Sequence, residues 1–150
     1  MHPYLLLPGT RVDDVVLTVP ADRRLIVDGR KLPIGAKPVA GTEWDFTQGR
    51  RIGSAQLDTA FGGDVPGGAS AVALSTVDGA RRVTVWAGAP FRWWQAFTGD
   101  ALAAPRTRRA VAIEPMTCPP DAYHSGRDLI TLEPGETWRG SWGITADGLQ

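Results

Sequence analysis

The sequence predicts a single all-β domain, a sandwich of short strands. Three observations point there. Glycine and proline are abundant, 18 and 12 of 150 residues, and they are scattered along the chain instead of clustered. Between them lie apolar runs of strand length, bounded by turn residues. No stretch carries the 3.6-residue apolar spacing of an amphipathic helix. A chain of 150 residues is long enough for one domain with its own core.

The elements follow in order. Tyr4 to Leu7 is apolar and ends at the turn Pro8-Gly9. Val12 to Val19 reads as a strand stopped by Pro20, and Arg24 to Val27 as a short strand before the turn Asp28-Gly29. Leu32 to Gly35 continues as an extended piece. Residues 36 to 54 are polar and glycine-punctuated, a long connection anchored by Trp44 and Phe46. Gln56 to Phe61 is compact and holds Asp58; it leads into a glycine-rich stretch through Gly68, read as a flexible connection. Ala71 to Thr76 and Arg82 to Trp86 flank Val77-Asp78-Gly79, a hairpin signature. Phe91 to Phe97 is the densest aromatic patch, and residues 101 to 108 resemble a linker.

Ala110 to Ile113 is a continuous apolar run, the pattern of a strand covered on both faces. It meets Glu114 and then Pro115, which cannot donate to a ladder, so the strand is expected to end near Glu114. A carboxylate where a strand passes into a loop has its direction fixed by the scaffold. Leu129 to Leu132 reads as a further strand. Thr137 to Ile144 reads as the last, with Trp138, Gly140 and Trp142 on one side.

Composition excludes several classes of function. The formal net charge is zero, which argues against nucleic acid or an anionic membrane as partner. The dense group Arg106, Arg108 and Arg109 is read as a solvated face, with a phosphate grip as the alternative. Cys118 is the only cysteine, so no intrachain disulfide forms and a reducing, cytoplasmic setting is expected. No apolar run reaches transmembrane length. Two histidines and one cysteine at no ligand spacing argue against a metal site.

Three residues carry candidate chemistry: His2, Asp58 and Glu114. A histidine, with an ordinary pKa of about 6.5, donates or accepts protons near neutrality. A partly buried carboxylate can take the complementary role.

Their surroundings resemble the aldose 1-epimerase (galactose mutarotase) family. His2-Pro3-Tyr4 is similar to the family's His-x-Tyr segment, and Leu57-Asp58-Thr59-Ala60-Phe61 to its Asp-x-x-Phe segment. Pro90 with Gln95-Ala96-Phe97-Thr98-Gly99-Asp100 resembles its Pro-x-x-Gln-x-x-Thr-Gly-Asn/Asp segment. Ile113-Glu114 followed by Pro120-Asp121-Ala122 resembles its Glu-x-x-x-x-Pro-Asp-Ala segment. Leu132-Glu133-Pro134-Gly135-Glu136-Thr137 resembles its closing hairpin. Each motif is short, but they follow one another in the family's order.

The resemblance implies a galactose mutarotase-like β-sandwich and a cofactor-free exchange of α and β anomers of an aldohexose. It implies Glu114 as general base, His2 as general acid, and Asp58, Gln95 and Trp94 as sugar contacts. Trp93 and Phe97 are further candidates for stacking on the sugar, against core packing as the alternative for at least two of the three aromatics. It also implies that residues 1–150 correspond to the C-terminal half of the family's domain. A second chain completing the sandwich is then an expected partner. Two other functions stay open, a catalytically silent sugar-binding sandwich and a hexose-phosphate epimerase.

Overall fold

The structure, a computed structural model, describes residues 1–62 and 70–149. The strands are β1 Tyr4–Leu5, β2 Val16–Thr18, β3 Arg23–Val27, β4 Pro33–Pro38, β5 Arg50–Arg51 and β6 Asp58–Gly62. They continue with β7 Ser70–Ser75, β8 Arg82–Ala87, β9 Trp93–Phe97, β10 Val111–Met116 and β11 Trp142–Asp147. One sheet has the order β1-β10-β9-β6-β3-β4 and the other β11-β8-β7-β2-β5, with antiparallel pairing in both. The all-β sandwich expected from the sequence is the observed fold.

Alternation along the strands builds the layer between the sheets. On β10, Val111 and Ile113 point inward; on β9, Trp94 and Ala96 do; on β6, Phe61 does. They meet Leu17, Val72, Leu74, Val83 and Val85 of the second sheet, with Leu7 and Phe46 filling the ends. Phe46 and Phe61 pack edge to face, 6.2 Å between centroids. Trp44 packs against the same core and lies under Arg24, 4.2 Å from its ring centroid, so both anchors expected within residues 36–54 are present.

Several elements depart from expectation. Val12–Asp14 forms a 3-10 turn in place of the start of a strand. Asp13 is drawn to Arg108 and Asp14 to Arg51, and these partners override the β-branched run. The connection at 36–54 contains the end of β4 and all of β5. Both strands lie at sheet edges, where a largely exposed backbone leaves no apolar alternation to read.

Leu129 to Leu132 forms no strand; Ile130 and Leu132 are exposed and no described strand pairs with them. The last strand begins at Trp142, not Thr137. Upstream of it, the Trp138 ring folds back over Gly140, where a Cβ would collide with the indole, and packs edge-on against Phe91. A short helix, Ala122–Ser125, was not foreseen; left-handed residues Asp121 and Gly126 bound it. Pro134-Gly135 does turn the chain, with Glu136 N donating to Glu133 O at 2.9 Å. The glycine-rich connection expected after Phe61 lies, at 63–69, outside the described residues.

Strand β10 also runs through Pro115 to Met116. Ile113 N donates to Pro3 O, so every second residue of β10 directs its nitrogen toward the β1 side. Pro115 falls on that side beyond the start of β1, where no ladder bond is lost. No helix among the described residues is long and apolar enough to cross a membrane.

Candidate active site

The outer face of the six-stranded sheet carries the polar cluster. Glu114 lies directly opposite Gln95, Gln95 opposite Ala60, and Asp58 opposite Phe97. Period-two alternation therefore turns Glu114, Gln95, Phe97 and Asp58 to one side while their neighbours build the core. Ala60, Leu25, Trp93 and Met116 form a small apolar cluster on that same side. The result is an open depression of about 460 Å³, lined among others by His2, Tyr4, Lys31, Asp58, Gln95, Phe97, Glu114 and Pro120.

Within it, His2 Nε2 stands 3.5 Å from Glu114 Oε2. The His2 side chain is 70% exposed and that of Glu114 only 14%. Burial pushes the Glu114 carboxyl above its ordinary value; His2 and the Met1 amino group pull it back, and Asp58 adds to the rise. Asp58 is held from two sides: Gln95 Nε2 donates to Oδ1 at 2.8 Å, and Lys31 Nζ lies 2.9 Å from Oδ2. The remaining atom of that amide, Gln95 Oε1, is buried and has no hydrogen-bond partner among the described residues. Tyr4 meets Phe97 edge to face at 6.5 Å.

The structure brings together four of the five site residues read from the sequence: His2, Asp58, Gln95 and Glu114. Trp94 is a correction. It points between the sheets, 1% exposed, with Nε1 donating to Ser70 Oγ at 2.9 Å, and it does not line the depression. Neighbours on a strand face opposite ways, so Trp94 and Gln95 cannot both face a ligand. Trp93 is buried as well. It lies flat over Gly62, which has no Cβ to obstruct it, and its Nε1 donates to Asp128 Oδ2 at 2.8 Å. Of the three candidate aromatics only Phe97 reaches the depression.

Within the arginine group, Arg106 and Arg109 are exposed, as a solvated face requires, and Arg108 is the correction. Arg108 is neither a solvated face nor a phosphate grip. Its guanidinium gives two hydrogen bonds to Asp13, one to Asp100, and one each to the carbonyls of Gly53 and Ala55. Five donors are thereby used by five bonds, and none is left for an anion. Lys31 was missed. The Asp28-Gly29 turn was legible, but the reach of a lysine two residues further on was not.

Two antiparallel sheets packed face to face make the galactose mutarotase-like β-sandwich. A putative aldose 1-epimerase from Escherichia coli K12 superposes with a TM-score of 0.71 at 20% identity, covering 97% of this chain and 47% of that one. A galactose mutarotase-like protein from Clostridium acetobutylicum gives 0.74 at 17% identity, covering 94% and 44%. The GalM/aldose epimerase homologue from Caenorhabditis elegans gives 0.65 at 19%, covering 76% and 40%.

In sequence, residues 1–145 match the family model for aldose 1-epimerase, and the chain belongs to that family. It is 30% identical over 141 residues to the uncharacterised Escherichia coli protein YihR. That match covers 93% of this chain and 42% of YihR, so the chain spans less than half the length of this relative.

Proposed function

We propose that the outer-face depression exchanges the α and β anomers of an aldohexose by acid–base ring opening. The observation that carries this reading is the pairing of a largely buried carboxylate with an exposed imidazole 3.5 Å away. The anomeric hydroxyl and the ring oxygen are bonded to the same carbon. A base and an acid that serve them must therefore stand close together, as His2 and Glu114 do.

Glu114 takes the proton of the anomeric hydroxyl while His2 gives one to the ring oxygen. The bond from C1 to the ring oxygen breaks and the aldehyde forms. Rotation about C1–C2 presents the other face, and closure returns both protons in exchanged roles, so no net proton or electron is consumed. A base with its pKa raised by burial is a stronger proton acceptor than an exposed carboxylate. Asp58 and Gln95 supply an acceptor and a carbonyl oxygen for hydroxyls, and Phe97 and Tyr4 an apolar surface for the ring.

The test is exchange NMR on the anomeric protons of D-galactose and D-glucose. Cross-peaks between the two anomers should grow faster with protein than in buffer, and His2→Ala and Glu114→Gln should each return them toward the buffer rate. Equal exchange in all samples, with sugar binding intact, selects the silent sugar-binding sandwich, which the 70% exposure of His2 favours. The hexose-phosphate reading draws no support from Arg108, whose donors are all engaged.

A further inference from the structure

Lys31 sits in a turn that is closed without any help from its side chain. Asp28 N donates to Leu32 O and Lys31 N to Asp28 O, while Asp28 Oδ1 accepts from the backbone of Arg30 and Leu32 at 2.8 and 3.0 Å. The turn places Lys31 at φ 65°, the left-handed region that suits glycine. The glycine of this turn stands two positions earlier, at Gly29, whose φ is not left-handed. A Cβ-bearing residue is thus held where glycine would fit better. What the lysine gains there is its side chain, which reaches into the depression to Asp58 Oδ2 at 2.9 Å.

We propose that Lys31 is a positioning residue of the candidate site, clamping the Asp58 carboxylate against Gln95 and offsetting its charge beside Glu114. With Gln95 on Oδ1 and Lys31 on Oδ2, each oxygen keeps a further lone pair for a ligand hydroxyl, and the carboxylate cannot rotate away. The clamp also matters for the neighbouring acid. Glu114 is faced by His2 and the Met1 amino group from the β1 side, by the neutral Gln95 from β9 and by Asp58 from β6. Tyr4 and Lys31 complete the titratable groups lining the depression. Of these charges only Asp58 works against ionisation of Glu114, and Lys31 is the cation paired with Asp58.

This inference rests on the anomer-exchange reading for its meaning, but its test needs no turnover. The variants are Lys31→Gly, which suits the backbone of the turn, and Lys31→Arg, which keeps the cation. Carbon-13 NMR follows the titration of the Glu114 carboxyl, and calorimetry follows binding of D-galactose. Lys31→Gly should melt at or above the wild-type temperature, because the turn is relaxed. Its Glu114 midpoint should nevertheless rise, because the Asp58 charge loses its paired cation, and galactose should bind about five- to tenfold more weakly. Lys31→Arg should restore both. A Glu114 midpoint unmoved in Lys31→Gly overturns the proposal, as does unmoved affinity where the wild type binds. If the wild type neither binds nor exchanges the sugar, the functional reading falls, while the Glu114 midpoint still decides the role of Lys31.

Discussion

The Arg108 hub and the Glu114 cluster are both polar groups set into an all-β frame, and they differ in how much of their bonding capacity is used. At the hub, all five guanidinium donors are engaged, and Thr98 bonds to the same Asp100 carboxylate. In the cluster, Gln95 Oε1 is buried without a partner among the described residues, and Glu114 is largely out of water with an imidazole at 3.5 Å. The two carboxylates respond in opposite directions. Burial works to raise Asp100, but hydrogen bonds from Thr98 and Arg108 outweigh it and hold the group below its ordinary value. At Glu114 burial prevails and the group rises. A saturated polar cluster holds the chain together; an unsaturated one is free to bind and to move a proton.

The largest expected effect tests the unsaturated side. Glu114→Gln keeps the shape and removes the base, so the protein-catalysed exchange rate should fall by about 10²–10⁴-fold. Its stability at neutral pH should hold or rise. A carboxyl raised by folding favours the fold below the ordinary carboxylate value and opposes it as pH rises through the raised one. Chemical denaturation of the variant at pH 7 checks this.

Arg108→Met tests the saturated side. It strips five hydrogen bonds, leaves Asp100 without its cation and leaves Asp13 with only Arg11, 3.8 Å away. A loss of about 3 kcal/mol in denaturant unfolding is expected, with exchange per folded molecule unchanged. The stability that Asp100 contributes is present at neutral pH and fades as pH falls below the ordinary carboxylate range, so the deficit of the variant should shrink in acid.

A smaller effect separates charge from contact within the site. Asp58 adds to the rise of Glu114, so Asp58→Asn should move the acidic limb of the rate profile to lower pH while weakening sugar binding. A limb that stays in place shows that Asp58 adds nothing to the rise of Glu114. The smallest effect concerns the core. Trp94→Phe should cost about 1–2 kcal/mol in stability through the lost bond to Ser70 and the space left behind. Sugar affinity should not change, since Trp94 faces away from the depression.

The sequence made the outer face legible for a physical reason. Glu114 interrupts an apolar run, and an acid at that place in a strand is conspicuous. His2 and Asp58 stood out by their chemistry, although alone each could be a surface or turn residue, and Gln95 emerged only through motif resemblance. Period two, applied strictly to Trp93-Trp94-Gln95, would have removed Trp94 from the site, because Gln95 and Trp94 cannot share a face. Lys31 and Arg108 were illegible for another reason. Their partners lie 27 residues away at Asp58 and 95 away at Asp13, and single-chain patterns do not report long-range pairs. The end of β4 and all of β5 were hidden by their place at sheet edges, and Leu129 to Leu132 misled because an apolar run needs a sheet to join.

Polarimetry of freshly dissolved α-D-galactose with wild type and Glu114→Gln, at equal concentrations of folded protein, tests the division between the two clusters most directly. Wild type should speed the optical change over buffer and Glu114→Gln should not, while both unfold cooperatively. A Glu114→Gln protein as fast as wild type would contradict the account, because the buried carboxylate would then be structural like Asp100.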